Sequence, residues 1–439
     1  MTARAIGQRR GACPGLSAPM PTGDGLLVRL LPAGTIPLDA FVKLCGAARE
    51  HGNGIIEITA RGSIQVRGLD PMSAPRFAAA IAGLGIAAAD GISVLTNPLA
   101  GIDAAEILDA TALAADLRRA LARQSRAARL APKVSVAIDG GGLLTLDGLS
   151  ADVRLRAAVV DGHPLWCVGV GGDGRSATYL GLVMPDGGIE AATRLLDVIA
   201  ARGREARARQ ILLTEGIAPF RLAIGDLIAP ARIGESDGAT PDFGVRGNQR
   251  EAAAIGTHPL RDGSSACGVG LAFGHADATS LERLAEAAKD TGADGIRAAP
   301  GRLLITVGSR RETSLSFSAV AEQLGFIVRA DDPRRHIFAC AGAPICASAY
   351  IEARALAPMI AGMTAPYVDG SLNIHVSGCA KGCAHPAPAA LTVVGTPEGC
   401  RLIADGSPHD APLAVVSTQE LPDAILSYVQ AAKREAGHV

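Results

Sequence analysis

The sequence contains an internal repeat, and this repeat constrains the fold more than any other feature does. Residues 26–68 align without a gap with residues 266–308, at a constant offset of about 240 positions. Identical residues are few, but the two segments share a pattern of apolar and glycine positions. The matched pairs are Gly34 with Gly274, Phe41 with Leu281, Leu44 with Leu284, Ala48 with Ala288, Arg49 with Lys289, Gly52 with Gly292, Ile56 with Ile296, Ile64 with Leu304 and Gly68 with Gly308. We therefore expect a duplicated architecture.

Each copy predicts one strand, one helix and then two strands around a short turn. In the first copy Phe41, Leu44, Cys45 and Ala48 form the apolar stripe of an amphipathic helix, which Gly52 would end as a C-cap. A longer stretch of helices and strands follows each copy. The sequence thus predicts an α+β protein made of two related halves, each a βαββ half-unit followed by a larger α/β domain.

These segments give five predicted regions. They are a first half-unit at 15–72, a larger domain at 73–228, a loop-rich linker at 229–250, a second half-unit at 251–310 and a last domain at 311–439.

Composition excludes several classes of function. The formal net charge of the 439 residues is −1, which gives no bulk attraction to nucleic acid or to a membrane surface. The basic N-terminus is not followed by an apolar segment, and no stretch approaches the roughly 18–20 apolar residues of a membrane span. We expect a cytoplasmic protein. Its nine cysteines would be thiols or metal ligands rather than a disulfide framework.

Four of the cysteines form two close pairs near the C-terminal end. Cys340 and Cys346 are separated by five residues, and Cys379 and Cys383 by three. Four thiolates are the usual ligands of a [4Fe–4S] cluster. The small residues between them would let backbone N–H groups approach the sulfurs. Alternatives are a structural zinc site, whose cysteine pairs usually have two to four intervening residues, or four unrelated core thiols.

Basic residues of the first copy form a second constellation. Arg61, Ser63, Gln65 and Arg67 would share one face of a strand pair, with Arg29 on the neighbouring strand. Lys133 begins a later strand. Because guanidinium groups bind carboxylates through two hydrogen bonds, this face is a candidate anion site. The alternative is an ordinary solvated sheet face.

Two further motifs bear on cofactor binding. Residues 169–174 match the GxGxxG dinucleotide pattern, but a strand rather than a helix is predicted to follow, so a hairpin turn is favoured. Electrons would then come from a partner. His375 and His385 flank the second cysteine pair and could support a cluster or bind another metal, although packed or exposed histidines are the commoner case. The remaining cysteines, Cys13, Cys45, Cys167, Cys267 and Cys400, have no partner at ligand spacing.

Together these features resemble the sulfite and nitrite reductase superfamily. The matching segments are TARGSIQVRGL, NPLAGID, FACAGAPICASA and HVSGCAKGCAHPAPAALTVVG, and the last is especially similar to the precorrin-3B synthase family. The resemblance implies that the half-units are ferredoxin-like and that each is followed by a sulfite/nitrite-reductase-type domain. It also implies, for the reductases, a siroheme whose iron is bridged to the cluster by the last cysteine, here Cys383.

The resemblance assigns residues to the tetrapyrrole. Thr59, Arg61, Gln65 and Arg67 would contact its carboxylates and edge, with Arg29 nearby. Lys133 matches the first of two lysines that hold the oxyanion in sulfite reductases.

Departures from the reductase pattern are informative. The second lysine of the reductases falls on Ser135, and one of their arginines falls on Leu30. The segment before Asn97 lacks a further arginine of their anion pocket. The anion pocket has therefore lost charges, whereas the arginines suited to a large tetrapyrrole remain.

The resemblance therefore implies a monooxygenase of aerobic cobalamin biosynthesis that converts precorrin-3A and dioxygen to precorrin-3B. It would use a [4Fe–4S] cluster, NAD(P)H-derived electrons delivered by a reductase or ferredoxin, and a separate non-heme iron on His375 or His385. We expect a monomer, because the duplication supplies an internal two-fold relation. The alternatives are a siroheme-dependent sulfite or nitrite reductase and a non-catalytic zinc protein.

Overall fold

A computed structural model of the chain describes residues 14–86, 91–123, 129–229, 254–368, 372–385 and 387–436. It separates into two compact units. The central unit comprises residues 31–34 and 87–266, and the duplicated unit comprises residues 14–30, 35–86 and 267–439. Over the described ranges, no helix has both the length and the apolar character needed to cross a membrane.

Both predicted half-units are present in the duplicated unit. The first contains β1 (Met20–Thr22), β2 (Gly25–Leu30), β3 (Ile36–Pro37), α1 (Leu38–His51), β4 (Ile55–Ile58), β5 (Ile64–Leu69) and α2 (Ser73–Ala82). The second contains β12 (Ser265–Gly270), β13 (His275–Asp277), α7 (Ala278–Asp290), β14 (Gly295–Ala299), β15 (Leu303–Ser309) and α8 (Ser314–Gln323). The predicted repeat and the α+β class are confirmed.

The two copies exchange a short strand. The first sheet has the order β1-β2-β5-β4-β13, so that β13 of the second copy completes it, while β3 of the first copy pairs with β14 of the second. Asp277 lies opposite Ile55, and Pro37 lies opposite Gly295. These are the same pair of repeat positions, so the exchange is reciprocal and in the same register.

Helices α1 and α7 join the copies further. Their apolar stripes are buried, and Phe41, Leu44 and Leu284 are fully inaccessible to solvent. Two surface ion pairs link them, Arg49 with Glu282 at 2.7 Å and Lys289 with Asp39 at 3.1 Å. Arg49 and Lys289 are matched positions of the repeat, whereas their partners Glu282 and Asp39 are not, so this contact follows the internal symmetry only in part.

The central unit is built on a five-stranded sheet of order β10-β9-β8-β7-β6. Its elements are β6 (Ser93–Thr96), α3 (Ala110–Arg123), β7 (Ser135–Asp139), β8 (Ala151–Val160), β9 (His163–Gly172), β10 (Thr178–Val183), α4 (Gly188–Ala200), α5 (Ala208–Glu215), α6 (Ala218–Ile224) and β11 (Gly256–Pro259). Residues 169–174 lie at the end of β9 and in the turn to its antiparallel neighbour β10, as predicted for a hairpin.

The cysteine segments belong to a mixed sheet of order β16-β17-β18-β19-β20, packed against α9 and α10. The elements are β16 (Ile337–Ala339), α9 (Ala353–Thr364), β17 (Ile374–Ser377), β18 (Ala389–Thr396), β19 (Gly399–Gly406), β20 (Ala414–Val416) and α10 (Leu421–Ala436). Strands β16 and β17 are parallel neighbours, and this pairing positions the candidate site.

The predicted regions differ in part from the compact units and from the described residues. Helix α2 groups with the duplicated unit, so the compact central unit begins near residue 87 rather than at residue 73. The predicted linker, 229–250, lies outside the described residues apart from residue 229.

Candidate functional site

Two of the four cysteines follow neighbouring parallel strands. Cys340 comes directly after β16 and Cys379 comes two residues after β17, and Ala339 lies opposite Val376 in the register of these strands. Because parallel strands end at the same edge of a sheet, both cysteines lie at that edge. The Gly378 N–H donates to Cys340 Sγ at 3.1 Å, an N–H···S bond of the kind that supports a metal-bound thiolate.

Glycines next to the cysteines allow close packing that a side chain would prevent. A Cβ atom on Gly342, whose φ is +70°, would lie 2.3 Å from the backbone nitrogen of Ala353. A Cβ atom on Gly378 would lie 2.7 Å from Ala349 Cβ and 3.4 Å from Cys340 Sγ. The Cys346 N–H donates to the Gly342 carbonyl at 2.7 Å and closes the first loop.

Electrostatics shows that the four thiols are neighbours. Burial raises the pKa of Cys340, N–H groups of Gly378 and Gly342 oppose this, and Cys346 and Cys379 raise the pKa further. Burial of its sulfur, and then the other three cysteines, raise the pKa of Cys383. A raised pKa disfavours the thiolate forms of Cys340 and Cys383 unless a nearby cation stabilises them.

Solvent exposure separates these cysteines from the remaining ones. Cys340, Cys346 and Cys379 are partly exposed and Cys383 is exposed, whereas Cys45, Cys167, Cys267 and Cys400 are buried. The second group behaves as small core residues. Cys13 lies outside the described residues.

In the part of the chain that the structure describes, no three His, Cys, Asp or Glu side chains are arranged around one position that could hold a single metal ion.

The two histidines beside the second cysteine pair lie together. Their rings are 5.9 Å apart in an edge-on arrangement, and the His385 ring stacks on Phe338 at 4.2 Å. His375 is inaccessible to solvent, and neither of its ring nitrogens has a hydrogen-bond partner among the described residues. Burial, followed by the proximity of His385 and Arg302, lowers the pKa of His375 to about 3. This histidine is therefore neutral at physiological pH.

Polar residues form a row across the first sheet. Arg29 lies opposite Gln65, which lies opposite Glu57, which in turn lies opposite His275 of the exchanged strand. Arg29 therefore lies on the strand next to Gln65, as predicted, and directly opposite it. The sequence did not indicate that His275 completes this row, because the exchange of β13 leaves no local signal.

Arg67 has a different environment from the one expected. It is 5% exposed and bonds Asp24 through Nε and Nη2, both at 3.3 Å. Its Nη2 also donates to the Ile345 carbonyl at 3.3 Å, and its Nη1 is 3.8 Å from Glu57. Glu57 also pairs with Arg354 at the start of α9. The guanidinium of Arg67 is thus engaged within the protein.

The other predicted substrate residues are distributed as follows. The Thr59 hydroxyl hydrogen-bonds Ser63 at 2.7 Å and closes the turn that carries Arg61. Arg61 is partly buried, and its backbone pairs with Pro300 of the second copy. Lys133 is exposed and belongs to the central unit.

Arg302 is a site residue that the sequence analysis missed. It occupies the repeat position of Gly62, and both residues have a left-handed backbone, with φ of +65° and +78°. Its Nη2 donates to the Ala384 carbonyl at 3.0 Å, and its guanidinium lies 5.2 Å from the centre of the Phe338 ring. The mismatch of an arginine with a glycine at aligned positions was the available signal.

Comparison with known proteins shows which class of protein has this fold. Residues 18–84 match the nitrite/sulfite reductase ferredoxin-like half domain. The Mycobacterium tuberculosis NirA protein shares the fold with a TM-score of 0.72 at 20% identity, over 93% of this chain and 83% of that one. A ferredoxin–nitrite reductase of Synechococcus elongatus is 25% identical over 83% of this chain and 75% of its own. The molecule therefore has the nitrite and sulfite reductase fold.

A curated relative narrows the class. The chain is 38% identical over 418 residues to a precorrin-3B synthase of a Sinorhizobium species, covering 95% of this chain and 87% of that protein. The chain belongs to the precorrin-3B synthase family. The predicted resemblance is confirmed, as is the prediction of an enzyme of the monooxygenase type, here an oxidoreductase of the cobalamin pathway.

Proposed function

We propose that this enzyme converts precorrin-3A to precorrin-3B. One oxygen atom of O2 is added to a meso-carbon as a hydroxyl group, and a carboxyl oxygen of a ring acetate bonds to the adjacent ring carbon and closes a lactone. The double bond between these two carbons is consumed, and the carboxyl proton goes to the hydroxyl group. The second oxygen atom leaves as water after it takes up two electrons and two protons. The observation that carries the proposal is the 38% identity to a protein of that name over nearly the whole chain, together with four neighbouring cysteines in the duplicated unit.

The four cysteines fit a [4Fe–4S] cluster better than a zinc ion. In a tetrahedral zinc site with sulfur bonds of about 2.3 Å, the sulfurs lie only about 3.8 Å apart and surround one position. The five residues between Cys340 and Cys346 also exceed the two to four that zinc pairs usually have, and the thiols influence one another electrostatically. A polynuclear group needs wider spacing and one thiolate for each iron. Cys340, Cys346, Cys379 and Cys383 would hold the cluster, with the Gly378 N–H supporting one sulfur.

When bound, the cluster would supply electrons one at a time, as received from NAD(P)H through a reductase or a ferredoxin. His375 would then present buried, neutral nitrogens near the second cysteine pair. Together with His385, it is our candidate for ligation of a separate non-heme iron.

The protein's own contribution is to bind and orient the tetrapyrrole. Arg61 and Arg29 supply charged donors for the substrate carboxylates, and Gln65 supplies an amide in the same row. Thr59 holds the turn of Arg61. Lys133 is exposed and belongs to the central unit, and it stays a predicted substrate residue. Fixing a polycarboxylate at several points brings one meso-carbon to one place, which is the source of regioselectivity.

A siroheme-dependent sulfite or nitrite reductase remains the second candidate, because the fold and the nitrite reductase relative favour it. A small oxyanion needs several concentrated positive charges. Leu30 and Ser135 occupy positions where the reductase pattern has basic residues, and both are buried here. These replacements support a tetrapyrrole substrate over a tetrapyrrole cofactor.

The test is anaerobic purification with iron, labile sulfide, zinc and tetrapyrrole measured on the same sample, followed by turnover of precorrin-3A under ¹⁸O2. We expect iron and sulfide without siroheme, and a product that carries one labelled oxygen atom. A siroheme absorption band together with sulfite or nitrite reduction would establish the second candidate. Zinc without iron or sulfide would reject both enzyme proposals.

A further inference from the structure

The two copies of the repeat each direct one arginine to a backbone carbonyl beside a candidate cluster ligand. Arg67 donates to the carbonyl of Ile345, which precedes Cys346, and Arg302 donates to the carbonyl of Ala384, which follows Cys383. We infer that Arg67 and Arg302 are positioning residues that hold the two cysteine loops in place and raise the reduction potential of the cluster. This inference rests on the proposed function, because it presupposes the cluster.

Several other hydrogen bonds hold Arg67 and the Ile345 carbonyl in place. The Ile345 carbonyl accepts a second hydrogen bond from the Gly23 N–H at 3.0 Å. Asp24, one residue further, fixes the guanidinium through two bonds of 3.3 Å. The hairpin of β1 and β2 and the end of β5 thus converge on one carbonyl of the first cysteine loop. A substrate ligand would instead keep its donors directed at an open surface.

The contact of Arg302 is equally specific. The residue adopts a left-handed backbone that an arginine rarely takes, and its guanidinium lies over Phe338. Phe338 also stacks on His385, the residue that follows Ala384. Burial lowers the pKa of Arg302 to about 10, which leaves it charged at neutral pH.

The positive charges of Arg67 and Arg302 should also affect the reduction potential of the cluster. Adding one electron to a cluster adds one negative charge, which a nearby buried cation stabilises. Two arginines bonded to the loops of the first and second cysteine pairs therefore favour the reduced state. Removing either one should lower the midpoint potential and loosen its loop. The repeat position matched to Arg302 is Gly62 and the one matched to Arg67 is Val307, so the two arginines do not occupy equivalent positions.

The experiment compares Arg67→Gln, Arg67→Lys, Arg302→Gln and Arg302→Lys with Arg49→Gln, a control that removes an exposed ion pair on α1. Each protein is purified anaerobically, and four quantities are measured: iron and sulfide content, the rate of iron loss to a chelator, the electron paramagnetic resonance spectrum of the reduced cluster, and its midpoint potential. Binding of precorrin-3A without reductant is measured in parallel.

We expect the Gln variants to lose iron about tenfold or more faster than the control, with a lower midpoint potential and an altered spectrum. The Lys variants should retain most of the potential, because they keep the charge, but should still lose iron faster than the control. If the Gln variants do not fold, the Lys variants decide the question through iron loss and line shape.

Unchanged iron loss, spectrum and potential in the substituted proteins would overturn the inference. So would an Arg67 variant that binds precorrin-3A more weakly while its cluster is unaltered, since Arg67 would then be a substrate contact. The iron and sulfide content of the unsubstituted protein distinguishes failure of the proposed function from failure of this inference. If it contains no iron and sulfide, the proposed function fails; if it contains them and the variants match it, only the inference about the arginines fails.

Discussion

The backbone of Arg61 pairs with Pro300, so the turn that carries the main candidate substrate ligand rests on the matching turn of the second copy. The adjacent contact is its counterpart, because the Gly301 N–H donates to the Ala60 carbonyl at 3.0 Å. Positions 61 and 301 are equivalent in the repeat, as are 60 and 300. The orientation of Arg61 therefore depends on residues about 240 positions away in the sequence.

Gly62 tests this dependence. Its φ is +78°, and a Cβ atom there would lie 2.8 Å from the Ala299 carbonyl carbon and 2.9 Å from Pro300 N. Gly62→Ala should lower the free energy of unfolding by about 2–3 kcal/mol, from left-handed strain and from this backbone clash. Gly85→Ala is a matched control, since Gly85 has φ of +65° with open space around its Cβ position. Urea unfolding followed by circular dichroism would show equal losses if the turn contact were unimportant.

Elements with a local sequence pattern could be predicted, and elements that depend on distant residues could not. The stripe of Phe41, Leu44 and Ala48 is local, and it predicted α1 and, through the repeat, α7. The reciprocal exchange of β3 and β13 is not local, because each strand has only two or three residues and no periodicity of its own. Helix α10 was not predicted as an element of its own, because the sequence indicated only a last domain at 311–439.

The candidate site, too, could be predicted only where its residues have a local sequence pattern. Cysteine spacing singled out four candidate ligands, because spacing is itself a property of the sequence. The partners of Arg67 are distant in sequence, since Asp24, Glu57 and Ile345 come from three separate segments. A strand pattern can place Arg67 on a face, but it cannot reveal what covers that face.

Arg61→Ala should weaken the binding of precorrin-3A by about tenfold or more, since a hydrogen bond to a charged group contributes about 1.5–3 kcal/mol. Iron and sulfide content should not change. Binding can be measured by anaerobic absorbance titration, with Arg76→Ala, an exposed arginine of α2, as the control. Normal affinity of the Arg61 variant would mean that the tetrapyrrole lies elsewhere.

Glu57 links Arg67 to Arg354, and all three side chains are mostly buried. Glu57→Gln leaves two guanidinium groups without their shared counter-charge, which should cost about 2 kcal/mol of folding free energy. The control is Glu50→Gln, whose side chain is 76% exposed. Urea midpoints of the two variants should differ clearly; similar midpoints would show that Glu57 contributes no more than a surface carboxylate.

His275 gives the duplicated unit a dependence on pH. Burial, and then Arg354, lower the pKa of this histidine to about 4, while Glu57 opposes the shift and Arg302 adds to it. The unfolded state therefore binds more protons between pH 6.5 and about 4, and stability falls as the pH decreases through that range. His275→Gln should reduce the loss of stability between pH 7.5 and 5 by about 1 kcal/mol, allowing for its partial exposure. Identical pH profiles for the two proteins would contradict this assignment.

Cys383→Ser is the most direct test of the cluster. Cys383 is the most exposed of the four cysteines, and its sulfur is influenced electrostatically by the other three. A serine hydroxyl has a much higher pKa than a thiol and is a poor iron ligand, so the variant should lose most of its iron and sulfide and all turnover of precorrin-3A. Cys400→Ala is the control, because Cys400 is a buried core thiol on β19; it should keep the full complement of both elements. A Cys383→Ser protein with unchanged iron, sulfide and spectrum would show that Cys383 is not a ligand, and equal losses in both variants would indicate general misfolding rather than removal of a ligand.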